Sequence, residues 1–560
     1  MLPLAPSLSL ALLLPSPQEG ALFVERPLAC GDEVVTTTCG GAAKDYILEV
    51  NGGGLVVEDF DLDGHLDLVV VDGSTLERVR AEEPGLPARL LLGDGAGGFS
   101  AADDAWSLPP GAWGSGGCAG DVDGDGDPDL FLTGWGQNRL LLNDGGRGFL
   151  DVTEGLPAAE GEEPRPTGLG GRRWSTSAAF LDYDADGSLD LVVTSYLAFH
   201  LDEARGPGGG CTWKGHDVMC GPEGMIPVHD QLYRGLGDGR FEEVSADAGF
   251  RPEVAGFGLG VMTLDYDADG DTDIYVSNDS TPNHLWENQG DGTFREVGLR
   301  RGVSHDSNGK EQAGMGIACG DVDGDGRSDL FVTNFSGERN AFYRSSRGKG
   351  FRERADVARL GGPSIQRLGW GTGLHDLDLD GRLDLFVING HVYPQADRAG
   401  TDTSYAQPDQ LFLGGEGGRF EEQPLAAGAP FVGRAAVAGD FDEDGDLDLV
   451  VIAMNGPVRY LENLAAGAED RHWLELDLVA TGSHPDAIGA SVVAITASGR
   501  ASAEVRVTAG YQAGAPRRLH LGLGAAAVVD ELRIRWPSGH EQLLEGVAAD
   551  RILRVVEERP

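Results

Sequence analysis

Lysine is nearly absent from this chain: 4 residues, against 39 arginines. Positive charge of any kind is scarce, with 43 basic side chains facing 91 acidic ones for a formal net charge of −48. That balance excludes a nucleic-acid partner, because phosphate binding needs a basic surface. Beyond the first fourteen residues no apolar stretch is long enough for a transmembrane helix. Cysteine is sparse too, six residues with no C-x-x-C spacing, which removes the common zinc modules. H-E-x-x-H, G-x-x-x-x-G-K-[ST] and G-x-S-x-G are all missing. GFGLG at 256–260 and GWGTG at 369–373 lack the dinucleotide fingerprint and read as repeat glycines. His391, in NGHVYPQAD, is the most suggestive isolated histidine, and a hydrogen-bonded structural role is favoured for it over catalysis.

What is present is acid and glycine. There are 87 Gly, about twice the usual share. A hydrophobic content of 41% is too high for a disordered acidic chain, so a fold with many turns and little helix is expected. The N-terminus, MLPLAPSLSLALLLPSPQEG, is apolar from Leu2 to Leu14 and breaks at Pro15 and Pro17. This is too short to span a bilayer and suits a signal-peptide core, so residues 1–20 are expected to be a signal peptide.

One pattern recurs seven times: D-x-D-x-D-G-x-x-D followed by three apolar residues. Its four aspartates are Asp59, Asp61, Asp63 and Asp67; Asp121, Asp123, Asp125 and Asp129; Asp182, Asp184, Asp186 and Asp190; and Asp265, Asp267, Asp269 and Asp273. The last three copies carry Asp321, Asp323, Asp325 and Asp329; Asp376, Asp378, Asp380 and Asp384; and Asp440, Asp442, Asp444 and Asp448. Calcium wants six to eight oxygen ligands, and carboxylates at positions 1, 3 and 5 of a tight loop can converge on one cation. Position 6 is always Gly, as a sharp turn requires. Position 7 varies, as suits a residue lending only its carbonyl, and the Asp at position 9 closes the cage. An EF-hand would need Glu at position 12; here that position is Val or Leu, inside runs such as LVV and LFV that read as short buried strands. Up to seven Ca2+ ions are therefore expected, magnesium being the weaker option because it holds its waters.

Each loop is preceded by a Gly-rich strand and followed by a strand, a connection, another strand, a GDGxGF-like turn and a last strand. Four antiparallel strands per unit and seven units give an all-β, seven-bladed β-propeller over residues 21–465. In an up-and-down blade the calcium loops and GDGxGF turns share one face. From the last loop Asp to the turn Phe three units need only 20 to 22 residues, whereas the first takes 32, the sixth 36 and the third 51. The large insertions, 198–230 in blade three above all, are thus expected on the face opposite calcium, where long ordered loops tend to bind. Cys211 and Cys220 bracket CTWKGHDVMC in that insertion, and Cys30 and Cys39 bracket a short loop; in an exported protein each pair is a disulfide candidate. Cys118 and Cys319 fall on separate interior strands and are expected as free thiols.

After Asn463 the repeat stops, and residues 466–560 read as a separate small β-sandwich with strands such as HWLELDLV and ELRIRW. AIGASV (487–492), GY (510–511), HLGLG (520–524) and VDELRIRWPSG (529–539) resemble the ASPIC/UnbV domain. The preceding units resemble FG-GAP/VCBS repeats, and KDYILEVNGGG (44–54), CGPEGM (220–225) and NGHVYPQAD (389–397) look like segments of bacterial proteins of the cartilage acidic protein-like family. Ser491 departs from a basic residue usual in that family, and QAGAP after Gly510-Tyr511 lacks its usual Ser-Gln. The resemblance implies an exported, calcium-binding, integrin-α-like propeller, secreted, at the cell surface or in the periplasm. No catalytic residue is assigned. The favoured role is extracellular binding or adhesion to a protein or glycan ligand, as a monomer. The alternatives are an enzyme acting on polysaccharide through the insertion face or channel, and a structural part of a surface assembly.

Overall fold

The computed structural model describes residues 21–157, 165–206, 208–346, 350–468 and 470–558, so the expected signal peptide lies outside the described residues. Nearly every regular element is a strand; the helices are single turns such as Leu76–Arg80 and Gly298–Arg301. The strands group into four-stranded antiparallel units that begin at Gly54–Glu58, Trp113–Gly120, Arg172–Leu181, Gly258–Leu264, Ile317–Gly320, Gly369–His375 and Gly433–Gly439. Each of these first strands packs beside the first strand of the next unit, and the last packs beside the first, which closes a circuit. This is a propeller-like arrangement, and it buries what a single unit could not bury alone. The Gly-rich sequences of the first strands follow from that crowding. A Cβ at Gly116 would meet the backbone of Gln512 at 2.6 Å, and one at Gly371 would meet Ala436 N at 2.7 Å.

The last unit shows a feature that periodicity did not reveal. Its outer strand is Phe23–Pro27, paired antiparallel with Arg459–Asn463 from Phe23 opposite Asn463 to Pro27 opposite Arg459. The two ends of the repeat region are therefore stitched into one sheet.

Residues 472–556 form two further sheets. One holds Leu519–Gly524, His472–Val479 and Ile552–Val556; the other holds Gly499–Glu504, Ser491–Thr496, Val528–Arg535 and Glu541–Ala548. Leu474, Val492, Leu532 and Trp536 fill the space between them. The same apolar cluster continues into Val122, Phe131, Phe180 and Leu189 of the second and third units. Two residues of the tail, Ala513–Gly514, add a parallel strand to Gly54–Glu58.

Cys211 and Cys220 form a disulfide, closing a hairpin of Thr212–Trp213 and His216–Asp217. The second proposed pair is corrected: Cys30 and Cys39 are both free. Between them Thr36 bridges Pro457 and Thr37 N donates to Gly456 O, which draws the chain along the seventh unit. Cys39 is then buried, with its thiol donating to Glu49 O at 3.3 Å. Cys118 and Cys319 are free, as expected.

Candidate metal centres

All seven D-x-D-x-D-G-x-x-D loops link the first and second strands of their units, and they share one backbone conformation. Position 6 is left-handed throughout, from φ 85° at Gly187 to 103° at Gly270. Position 4 is left-handed as well, which the sequence pattern did not show: Leu62, Gly124, Ala185, Ala268, Gly324, Leu379 and Glu443 lie at φ 55–78°. Only two of these are glycine, so five loops hold a strained residue at a cost of about 1–2 kcal/mol each. The strain persists because the loop is over-determined by its aspartates. The position 1 carboxylate accepts from the position 6 N–H in every loop, for example Gly64 N to Asp59 Oδ2 at 3.0 Å and Gly445 N to Asp440 Oδ2 at 3.0 Å.

The position 9 aspartate does more than close a cage. Asp129 accepts from Val122 N at 2.8 Å through one oxygen and from Asn143 N at 2.8 Å through the other. Asp190 does the same with Tyr183 N and Gly235 N, and Asp384 with Leu377 N and Gly414 N. It thus ties its own loop to the third strand of its unit. In three units an asparagine on that strand extends the tie to the preceding unit. Asn143 Nδ2 donates to Phe60 O, Asn288 Nδ2 to Tyr183 O and Asn463 Nδ2 to Leu377 O, each at 2.8 Å. These carbonyls belong to position 2 of the neighbouring loop. The LND, ENQ and ENL triplets were the available signal for this staple.

The donor set fits a hard cation. In the first three loops carboxylate oxygens of positions 1, 3 and 9 lie within 4.8 Å of one another, and in the fourth and fifth those of positions 1, 3 and 5 do so. Asp123 Oδ1 and Asp442 Oδ1, both at position 3, are buried without a hydrogen-bond donor. Burial pushes the carboxyls upward: Asp59 to about 6, Asp67 to about 7, Asp376 to about 8, and Asp273 and Asp440 to about 9. Neighbouring aspartates add to the rise, as Asp378 and Asp380 do at Asp376. Removing that repulsion is what a bound divalent ion would supply.

The opposite face is built without repetition. The connections after the second strands of the first, third and sixth units meet the segment Ile47–Val50 there. Leu48, Leu76, Tyr196, Leu197, Phe199, Met219 and Val392 form one cluster with Trp113, Trp174 and Trp370 of the inner strands. The disulfide hairpin of the third unit crosses to the sixth. Trp213 packs on His391 and Tyr393 with ring centroids 4.6 and 5.7 Å apart, Lys214 pairs with Asp402, and His216 Nε2 lies 3.3 Å from Ala399 O. His391 is fully buried in this aromatic nest. Its Nδ1 accepts from Tyr393 N at 3.0 Å, and burial pulls its pKa down to about 3, so the ring is neutral. That geometry gives it a structural role. Outside the loops, the carboxyls of buried Asp230 and half-buried Asp409 are raised to about 7, but they cap Ser195 N and Asn389 N. Asn283 and Asn340 fill the same slot in the fourth and fifth units, so the slot is structural.

Comparison with known proteins agrees with these repeats. The family described as FG-GAP-like repeat matches residues 59–132, 121–193, 265–332, 321–387 and 376–451, and ASPIC and UnbV matches 480–560. Cartilage acidic protein 1 of Xenopus tropicalis is 25% identical over 509 residues, 87% of this chain and 70% of that protein. Cartilage acidic protein 1 of Homo sapiens is 28% identical over 348 residues, 60% of this chain and 49% of its own length. Among solved structures, the BP39L lectin from Burkholderia pseudomallei aligns over 75% of this chain and 98% of its own, at 13% identity and a TM-score of 0.43.

Proposed function

We propose that this chain, which belongs to the FG-GAP-like repeat family, is an exported seven-bladed propeller, stiffened by up to seven calcium ions, that binds an extracellular protein or glycan through its insertion face. The single observation that carries the reading is the division of labour between the faces. The cation-ready loops all lie on one side, and the unique aromatic, disulfide-closed connections converge on the other. Half-buried Trp213, Tyr393, Phe335 and Trp135 offer flat apolar surface beside polar edges, the composition that favours recognition of sugar rings or of a protein hot spot. The Cys211–Cys220 bridge fits an oxidising compartment. No helix among the described residues is long and apolar enough to cross a membrane.

The test is an array of glycans and extracellular proteins probed with the intact protein in calcium. A ligand found there should be lost with Trp213→Ala and with Tyr393→Ala. Undiminished binding by both variants would overturn the assignment of the insertion face.

A further inference from the structure

The C-terminal two-sheet domain rests on the loop face, and it does so by gripping the loops themselves. Arg518 Nη2 donates to Gly64 O of the first loop at 2.8 Å, and His520 Nε2 lies 2.9 Å from Gly445 O of the seventh. Asp486 Oδ2 accepts from Asp121 N of the second at 2.9 Å. Arg535 reaches Asp269 O and, at 3.6 Å, the Asp265 carboxylate of the fourth. Gly522 passes so close to the Asp376 carboxylate of the sixth that a Cβ there would collide with it. Five loops spread round the ring thus each present a backbone group or carboxylate to one rigid body.

From this platform the segment 505–517 threads the axis of the ring. Thr508 Oγ1 donates to Val261 O at 3.1 Å, and Val261 N donates to Gly510 O at 3.0 Å. Gln512 N donates to Ser177 Oγ at 2.9 Å, and Gln512 O accepts from Leu55 N at 3.2 Å. Gly510, at φ 82°, lies against Ile317 where no side chain would fit. Tyr511 is fully buried, packs on Trp370 with centroids 5.1 Å apart, and joins the apolar cluster of the opposite face. The plug therefore touches both faces of the ring.

We propose that this domain reads the cation occupancy of the ring: calcium in the loops holds it docked and keeps the plug in the axis, and loss of calcium releases both. The inference rests on the calcium reading given above. The physical chain is short. The acceptors that Arg518, His520 and Arg535 use are loop carbonyls, whose positions are set by the left-handed residues at positions 4 and 6. Those conformations are strained, and carboxylates within 4.8 Å repel. A cation offsets both, so a metal-free loop has reason to relax and a loaded one has not. Segment 505–517 has no helix and only a two-residue strand of its own; Ala509 N and Tyr511 N bond within the segment, while Gly510 O, Gln512 N and Gln512 O depend on the ring for partners. Linkage makes the effect reciprocal: whatever factor calcium adds to docking, docking adds to calcium affinity.

The experiment uses the full chain, with bound calcium counted by native mass spectrometry and amide exchange followed at 508–514, before and after chelation. Exchange at Tyr511, Gln512 and Ala513 is expected to rise at least about 10-fold on chelation, while amides of Asp190–Ser195 and Asp273–Asn278 stay protected. A chain that has lost its calcium yet keeps 508–514 protected at the loaded rate overturns the inference and leaves the calcium reading standing. A chain that never takes up calcium sinks both. In a second arm, Arg518→Ala with His520→Ala should weaken calcium affinity several-fold and expose the plug amides. An exposed plug with unchanged affinity would overturn the coupling.

Discussion

The two faces of the ring were made by different means. The loop face is one motif written seven times, with the same left-handed backbone at positions 4 and 6 and the same bond from the position 6 N–H to the position 1 carboxylate in every copy. The insertion face has no repeat at all: a disulfide hairpin from the third unit, a helical turn at Leu76–Arg80, and a histidine nested among aromatics. Repetition serves a task every unit shares, closing the ring and, in the proposed function, holding a cation. Recognition of one ligand would need a surface that occurs once, which only the connections that escape the repeat provide.

Metal removal should produce the largest effect, and it should begin at the loop face. At a hundredfold excess over Kd one site contributes about 2.7 kcal/mol. Three occupied sites would raise Tm by about 7–9 °C for a chain of this size. Calorimetry of the chelated and reloaded protein measures this; coincident melts would erase the proposed distinction between the faces.

The next effect comes from one position 9 residue. Asp190→Ala removes the acceptor of two buried N–H groups and should cost about 3–5 kcal/mol in chemical denaturation, with Asp190→Asn milder. Equal losses for both variants would mean that packing, not the paired acceptors, holds the unit together.

Opening the other face should be milder. Cys211→Ser with Cys220→Ser frees a short loop, worth about 2–3 kcal/mol in chain entropy. The change should show as faster proteolysis within 203–225, with the melt of the ring little altered. A collapse of the whole fold would show that the insertion face also carries the ring.

Acidity separates the two states of the loops. The raised carboxyls bind protons more tightly in the metal-free fold than in the unfolded chain. Their contribution is therefore complete below about pH 4 and is lost as pH climbs through about 6 to 9. Metal-free protein should become less stable from pH 5 to 9, whereas calcium should stabilise more as pH rises. Parallel melting curves across that range would contradict the assignment.

The smallest expected change is Leu62→Gly. Leu62 is 45% exposed with φ 62°, so relief of strain and added chain entropy nearly cancel, within about 1 kcal/mol toward stability. A clear loss would show that the Leu62 side chain packs on a partner.

Much of the loop face was legible because its chemistry is local. Four aspartates and a glycine inside nine residues mark a tight acidic loop whatever surrounds them, and Val193 or Val332 at position 12 marks the strand that follows. The all-β class followed from the same spacing. What stayed hidden depends on residues far apart in sequence. Phe23–Pro27 has no repeat neighbour in sequence, yet it completes the last unit. Gly510-Tyr511 could be matched to a motif, but nothing in the motif says that this segment fills the axis of a ring, with partners as far back as Asn51 and Ser177. Cys30 and Cys39 had a plausible spacing, and only the route of Thr36 and Thr37 along the seventh unit shows why they stay apart.

The central claim is that the loop face is a ring of calcium sites. Native mass spectrometry of chelated protein titrated with calcium counts the ions directly. The account predicts stepwise uptake of several ions, up to seven, each step tied to a Tm increase, with one ion fewer in Asp321→Asn with Asp323→Asn. A chain that takes up no calcium while keeping its fold would contradict it.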